Sequence, residues 1–158
     1  MKQRWPVRFF SLITGVKIVK STYQELCTHY EGTRRTALVT QLETRYGWQP
    51  DKADRVLTQY LMFLYIASRH QENPLVPTSD IDCVWETDIL QNTAQYMETC
   101  QQLCGGVIHH AGATGLPLTP DKDNVQQAFK ETQQLFQLYF GQEVFTGQTL
   151  KIAACGVL

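Results

Sequence analysis

The chain has 158 residues, 43% hydrophobic and 18% charged, the size and make-up of one domain able to fold alone, which excludes wholesale disorder and leaves little room for a second core. Fourteen Lys and Arg against fifteen Asp and Glu give a net charge of −1, so no globally positive field exists and no nucleic-acid partner is expected. The charge is uneven: Lys2, Arg4, Arg8, Lys17 and Lys20 make residues 1–20 a basic, apolar strip without an acid, and the rest of the chain carries nine basic and fifteen acidic residues.

That first strip imitates a secretory signal only faintly. Lys17 interrupts its apolar stretch and no small-residue cleavage pattern follows, so it reads as retained. No apolar run reaches the roughly twenty residues of a membrane span. Next, Ser21 and Thr22 stand three residues before Gln24 and Glu25, the spacing of a capping box, which predicts a short helix stopped by Gly32. Leu38, Leu42 and Tyr46 recur every fourth residue from Thr33 and predict a second helix ending at Gly47. Pro50 suits the first turn of a third, with Asp51 and Asp54 near its positive end. Val56, Tyr60, Phe63, Leu64 and Ala67 follow at helical spacing, and Leu61, Met62 and Ile66 make this the expected central helix.

QENPLVPTS, with two prolines, is a connection. Ser79 is then expected to cap a helix through about Leu90, and Asn92 or Thr93 to begin another that runs to Cys104 before Gly105 and Gly106 break it. HHAGATGLPLTP reads as a surface loop. Asp121 would open the last helix, with Val125, Phe129, Leu135, Phe136 and Tyr139 as its buried stripe before Gly141. FFSLITGVKIVK and LKIAACGVL, at the two ends, would pair as short strands or lie across the bundle. The expectation is therefore one all-α domain over 1–158: a compact helical bundle with a helical body at 21–141, a basic segment at 1–20 and a tail at 142–158.

The densest chemical constellation spans residues 80–110: Asp80, Asp82, Glu86, Asp88, Cys100, Cys104, His109 and His110. Asp82 and Glu86 lie one helical turn apart on one face and can jointly bind a cation or receive a histidine bond. Asp88, about 200° around the axis from Glu86, does not join them. Adjacent side chains in extended backbone point oppositely, so one histidine of the pair His109 and His110 can face the hairpin. A divalent-metal site would use Asp82, Glu86 and His109 or His110, a mixed oxygen and nitrogen set suited to zinc, manganese or iron. The blander expectation, taken as the default, is that Asp82 and Glu86 accept hydrogen bonds from a histidine or from the Trp85 indole and lock the hairpin.

Cys100 and Cys104 are one turn apart but lack a second ligand pair at zinc spacing and read as small apolar core residues. Five cysteines in a chain too large to need staples point to reduced thiols and a cytoplasmic location. Nucleophile elbows, Walker loops, dinucleotide-binding glycines and the HExxH helix are all absent, which removes the familiar enzyme classes and leaves enzymatic activity open.

The run IDCVWETDIL, then Thr93, Tyr96, Cys100, Gly105 and IHH, resembles the ordered VDxxWHxHIL…T…Y…C…G…HH string of bacterial relatives of the glycine-rich-domain-containing protein family. GWQPDKADRVLTQYLMFLYIA resembles that family's helix before the Trp motif, and FKETQQLFQLYFG its closing helix, so the resemblance covers about Tyr46 to Gly141. It implies a helical domain in which Asp82, Trp85, Tyr96, Cys100, His109 and His110 form the structural or partner-binding motif; it implies no particular reaction. The chain departs from the pattern at Glu86 and Asp88, which stand where the family has the two histidines of WHxH. That departure suits a harder metal ion or a site reused as scaffold.

Cys155, Gly156, Val157 and Leu158 fit the C-a-a-X pattern of geranylgeranylation, which would need the cytosol of a eukaryotic cell, whether native or a host, and with the basic N-terminal segment would supply the two signals of peripheral membrane attachment. The competing reading is an apolar tail packed on the core, with Trp5, Phe9 and Phe10 anchoring the other end. Two functions follow. The first is a non-enzymatic interaction protein with a protein partner; the alternative is a divalent-metal-dependent hydrolytic enzyme using the carboxylate and histidine site.

Overall fold

The computed structural model describes residues 21–110 and 122–141. Both expected terminal strands, the loop at 111–120, the opening residue Asp121 and the lipidation candidate Cys155 lie outside the described residues. Within them the chain forms six helices and no strand: α1 (Tyr23–His29), α2 (Thr33–Tyr46), α3 (Pro50–Arg69), α4 (Ser79–Gln91), α5 (Thr93–Leu103) and α6 (Lys122–Phe140). The fold is all-α, a compact helical bundle.

Local chemistry sets the helix ends. Thr22 caps α1 through the full reciprocal box, its hydroxyl accepting from the Glu25 N–H at 3.2 Å while its own N–H donates to Glu25 Oε2 at 2.6 Å. Gly32 does not stop this helix as expected. α1 ends at buried Tyr30, whose N–H returns to Cys27, and Gly32 instead heads α2 at φ +65°, a conformation that favours glycine over any residue with a Cβ. Gly47 closes α2 in the left-handed region, donating to the Glu43 carbonyl at 2.9 Å. Pro50 fills the first position of α3, where a missing N–H costs nothing. α4 is capped one residue earlier than expected: the Thr78 hydroxyl takes the Ile81 N–H, and Ser79 is already helical. Asn92 serves both neighbours. Its N–H closes α4 on Asp88, and its side chain caps α5 at Gln95, so α4 and α5 meet at a one-residue corner.

α3 lies at the centre, packed against α1, α2, α4 and α6. Eleven of its residues are buried, including Leu57, Tyr60, Leu61, Phe63, Leu64 and Ile66. Each large apolar side chain there contributes about 1.5–3 kcal/mol, more than any single cap at about 1 kcal/mol, so the central stripe dominates the fold. α4 fills the second tier, touching α2, α3 and α5. On α6, Val125, Ala128, Phe129, Thr132 and Phe136 face inward, and Thr132 takes the Val76 N–H at 2.9 Å, pinning the proline-rich connection. Tyr139, expected in that stripe, is 38% exposed. It lies three residues past Phe136 but on the last turn, where its ring meets Tyr65 and its hydroxyl reaches His70 Nε2 at 3.1 Å, so the polar tip stays at the surface. The rings of Tyr23 and Phe140 stand 5.0 Å apart, joining the start of α1 to the end of α6. No helix among the described residues is long and apolar enough to cross a membrane.

Candidate functional site

Two polar clusters are built on α4, and its turn geometry separates them. The first begins with Asp82 and Glu86, four residues apart and half-buried on one face. The segment leaving α5 brings His110 to this face. Tyr96 fixes that segment: its hydroxyl donates to the Ile108 carbonyl at 2.5 Å and accepts from the Trp85 indole N–H at 2.8 Å. Ile108 in turn directs its backbone N–H at the Cys100 sulfur. His110 Nε2 then meets Asp82 Oδ1 at 2.7 Å, with its ring edge-on to Trp85 at 4.6 Å between centroids. The hydrogen bond to Asp82, opposed in part by burial, holds the imidazole above its ordinary pKa. One ligand atom each from Asp82, Glu86 and His110 lie within 4.8 Å of one another.

Of the sequence candidates, then, Asp82, Glu86, Trp85, Tyr96, Cys100 and His110 gather around one arm. His109 does not. It is exposed, while its neighbour His110 is half-buried against α4. Of the two donors expected for the carboxylates, a histidine or the Trp85 indole, the histidine reaches Asp82 and the indole donates to the Tyr96 hydroxyl. Cys100 and Cys104 are both buried free thiols; the Cys104 thiol, hydrogen-bonded to the Cys100 sulfur, lowers the Cys100 pKa and is itself raised.

The second cluster surrounds Asp88, 3% exposed. Its Oδ2 accepts from the hydroxyls of Tyr30 at 2.6 Å and Tyr60 at 2.8 Å, and Arg34 Nη2 lies 3.1 Å from Oδ1. Arg34 also donates to Thr99 Oγ1 at 2.8 Å and stacks its guanidinium 3.7 Å over the Tyr30 ring. The node thus joins α2, α3, α4, α5 and the residue closing α1. Burial, reinforced by the Asp88 charge, pushes both tyrosines well above their ordinary pKa. Sequence reading did not assemble this node. The signal was present: Ile81, Val84, Trp85 and Asp88 follow the i, i+3, i+4, i+7 spacing of a buried face, and Arg34 heads the row continued by Leu38 and Leu42.

Chemically, the Asp88 node has its acceptors filled and serves as a structural tie. The Asp82 cluster can close the hairpin by an ion pair or hold a cation, since Glu86 has no hydrogen-bond or ion-pair partner among the described residues. No family model, curated protein or solved structure matches the chain.

Proposed function

We propose that the chain is a non-enzymatic interaction protein that presents the α4–α5 corner to a protein partner. The observation that supports this reading is the surface of that corner. From Leu90 to Met97 every residue except Tyr96 is exposed, none is charged, and the two large apolar side chains are 66% and 46% exposed. Depletion of charge with retention of methionine and other apolar groups is the composition of an interface core. Beneath it, the Asn92 cap, the Trp85–Tyr96 bond and the Asp88 node hold both helices fixed, so docking would order little backbone.

A photo-crosslinking residue placed at Met97, with the same residue at exposed Gln127 on α6 as reference, tests this. A discrete protein adduct formed from position 97, absent from position 127 and removed by Leu90→Asp, is expected. Identical adducts from both positions, or none from 97, would overturn it.

A second reading, a divalent-metal-dependent hydrolytic enzyme, is favoured by Glu86, which lies beside His110 and has no hydrogen-bond or ion-pair partner among the described residues. In it a carboxylate helps activate water. Hydrolysis of chromogenic phosphate or carboxylate esters with added zinc or manganese, lost in Glu86→Gln, is its expected result; absence of turnover removes it.

A further inference from the structure

We infer that Asp82, Glu86 and His110 form a clamp for one divalent ion of the zinc class, which ties the 107–110 segment to α4. This rests on the ligand set of the second reading but not on its chemistry: the ion here fastens structure and need not turn over a substrate.

The charges around α4 lead to this assignment. The helix carries four acids on its two faces. Lys52 pairs with Asp80 at 3.1 Å and Arg34 with Asp88 at 3.1 Å. Among the described residues no Lys or Arg pairs with Asp82 or Glu86; only the His110 imidazole faces them. Two carboxylates therefore share one imidazole, and at least one negative charge is left unanswered whether or not that imidazole is protonated. A divalent ion would answer both.

Geometry agrees. Zinc bound at about 2.0–2.2 Å by oxygen and nitrogen places tetrahedral ligands roughly 3.3–3.5 Å apart. His110 Nε2 and Asp82 Oδ1 are 2.7 Å apart, and one ligand atom from each of the three residues lies within 4.8 Å of the others, so a small opening of the Asp82–His110 pair and an inward turn of the flexible Glu86 side chain suffice. The supporting groups are in place already. Trp85 fixes the ring plane and Tyr96 fixes the backbone that carries it. One nitrogen with two carboxylates favours a zinc-class ion over calcium or magnesium, which prefer all-oxygen shells. Three protein ligands leave a coordination position for water or for a group from the partner.

The test uses the purified chain, reduced and stripped with chelator, titrated with zinc, cobalt(II) and magnesium and followed by calorimetry and melting temperature. Expected are one zinc per chain, a melting temperature that rises with zinc and falls back with chelator, no comparable rise with magnesium, and a cobalt spectrum without a thiolate charge-transfer band. Glu86→Gln, which removes a ligand but no hydrogen bond or ion pair among the described residues, should melt close to the parent in chelator and lose zinc affinity about tenfold or more. Zinc affinity unchanged in Glu86→Gln, a cobalt–thiolate band, or no stoichiometric binding would each overturn the clamp. Binding without ester turnover keeps the clamp and removes the hydrolytic reading; absence of binding removes both.

Discussion

Asp82 and Asp88 sit six residues apart on one helix, and the protein uses them in opposite ways. Asp88 lies on the inward row, where every lone pair must find a donor, and two tyrosine hydroxyls and a guanidinium supply them. Asp82 lies on the flank, has one partner, and shares its surroundings with a carboxylate that has none among the described residues. Position on the helix, not the residue type, decides which becomes a tie and which keeps unspent binding capacity. Buried charge must be fully paired because its desolvation is costly; half-exposed charge can be left partly unpaired because water screens it.

The sharpest way to break this contrast is Asp88→Asn. It keeps the shape but strands the Arg34 guanidinium in the core, whose Nε already lacks an acceptor. Breaking one side of a buried pair costs about 3–5 kcal/mol, and for a chain of this size that lowers the melting temperature by roughly 6–20 °C. Asp82→Asn, measured alongside in chelator, should cost about 1 kcal/mol or less. Thermal and urea unfolding of the two variants compare them directly. Equal losses would mean that the two sites are not the different things described above. Arg34→Met combined with Asp88→Asn should recover part of the loss, since it removes the stranded charge and leaves the amide oxygen to accept from the tyrosines.

The helices were legible in the sequence because each carries its own periodicity and punctuation: the Thr22–Glu25 box, Gly47, Pro50 and Asn92 all act within a turn or two of themselves. The Asp82–His110 meeting was legible in outline, since i, i+4 spacing puts Asp82 and Glu86 on one face and extended backbone offers one histidine of two. What decided His110 over His109, and Tyr96 over a carboxylate as the indole's partner, was the path of residues 107–110, which no local pattern encodes. The Asp88 node escaped for the same reason. Its members come from five elements, with Tyr30 separated from Asp88 by 58 positions, and only the placement of two charged residues on apolar rows announced them.

A smaller effect is expected at the bond that joins the two halves of the hairpin. Tyr96→Phe leaves the buried Trp85 N–H without an acceptor and the Ile108 carbonyl without its donor. Leaving buried groups unsatisfied in this way costs roughly 1–3 kcal/mol. The loss should appear as a lower unfolding midpoint together with faster hydrogen exchange through 107–110, while the Asp88 node, which Tyr96 does not bond, keeps its protection. If exchange quickened around Tyr30 and Tyr60 as well, the two clusters would be one cooperative unit and the contrast between them would dissolve.

The smallest effect is a dependence on pH. The Asp82 hydrogen bond raises the His110 pKa above its usual 6.5, and the Asp82 and Glu86 charges add to it. A group whose folded pKa exceeds its unfolded one stabilises the fold while charged in both states. The contribution is therefore fully present below about pH 6.5 and is lost as pH rises through the higher folded value. Solvent reaches both partners, so the size is that of a screened pair, about 0.2–1 kcal/mol. Unfolding midpoints taken from pH 5.5 to 8.5 in chelator should show the parent losing this increment relative to Asp82→Asn. A difference between the two that stays flat across the range, or grows with pH, would mean that His110 is held at Asp82 by packing against Trp85 and not by its charge, and the flank of α4 would then be as apolar in its logic as the core it borders.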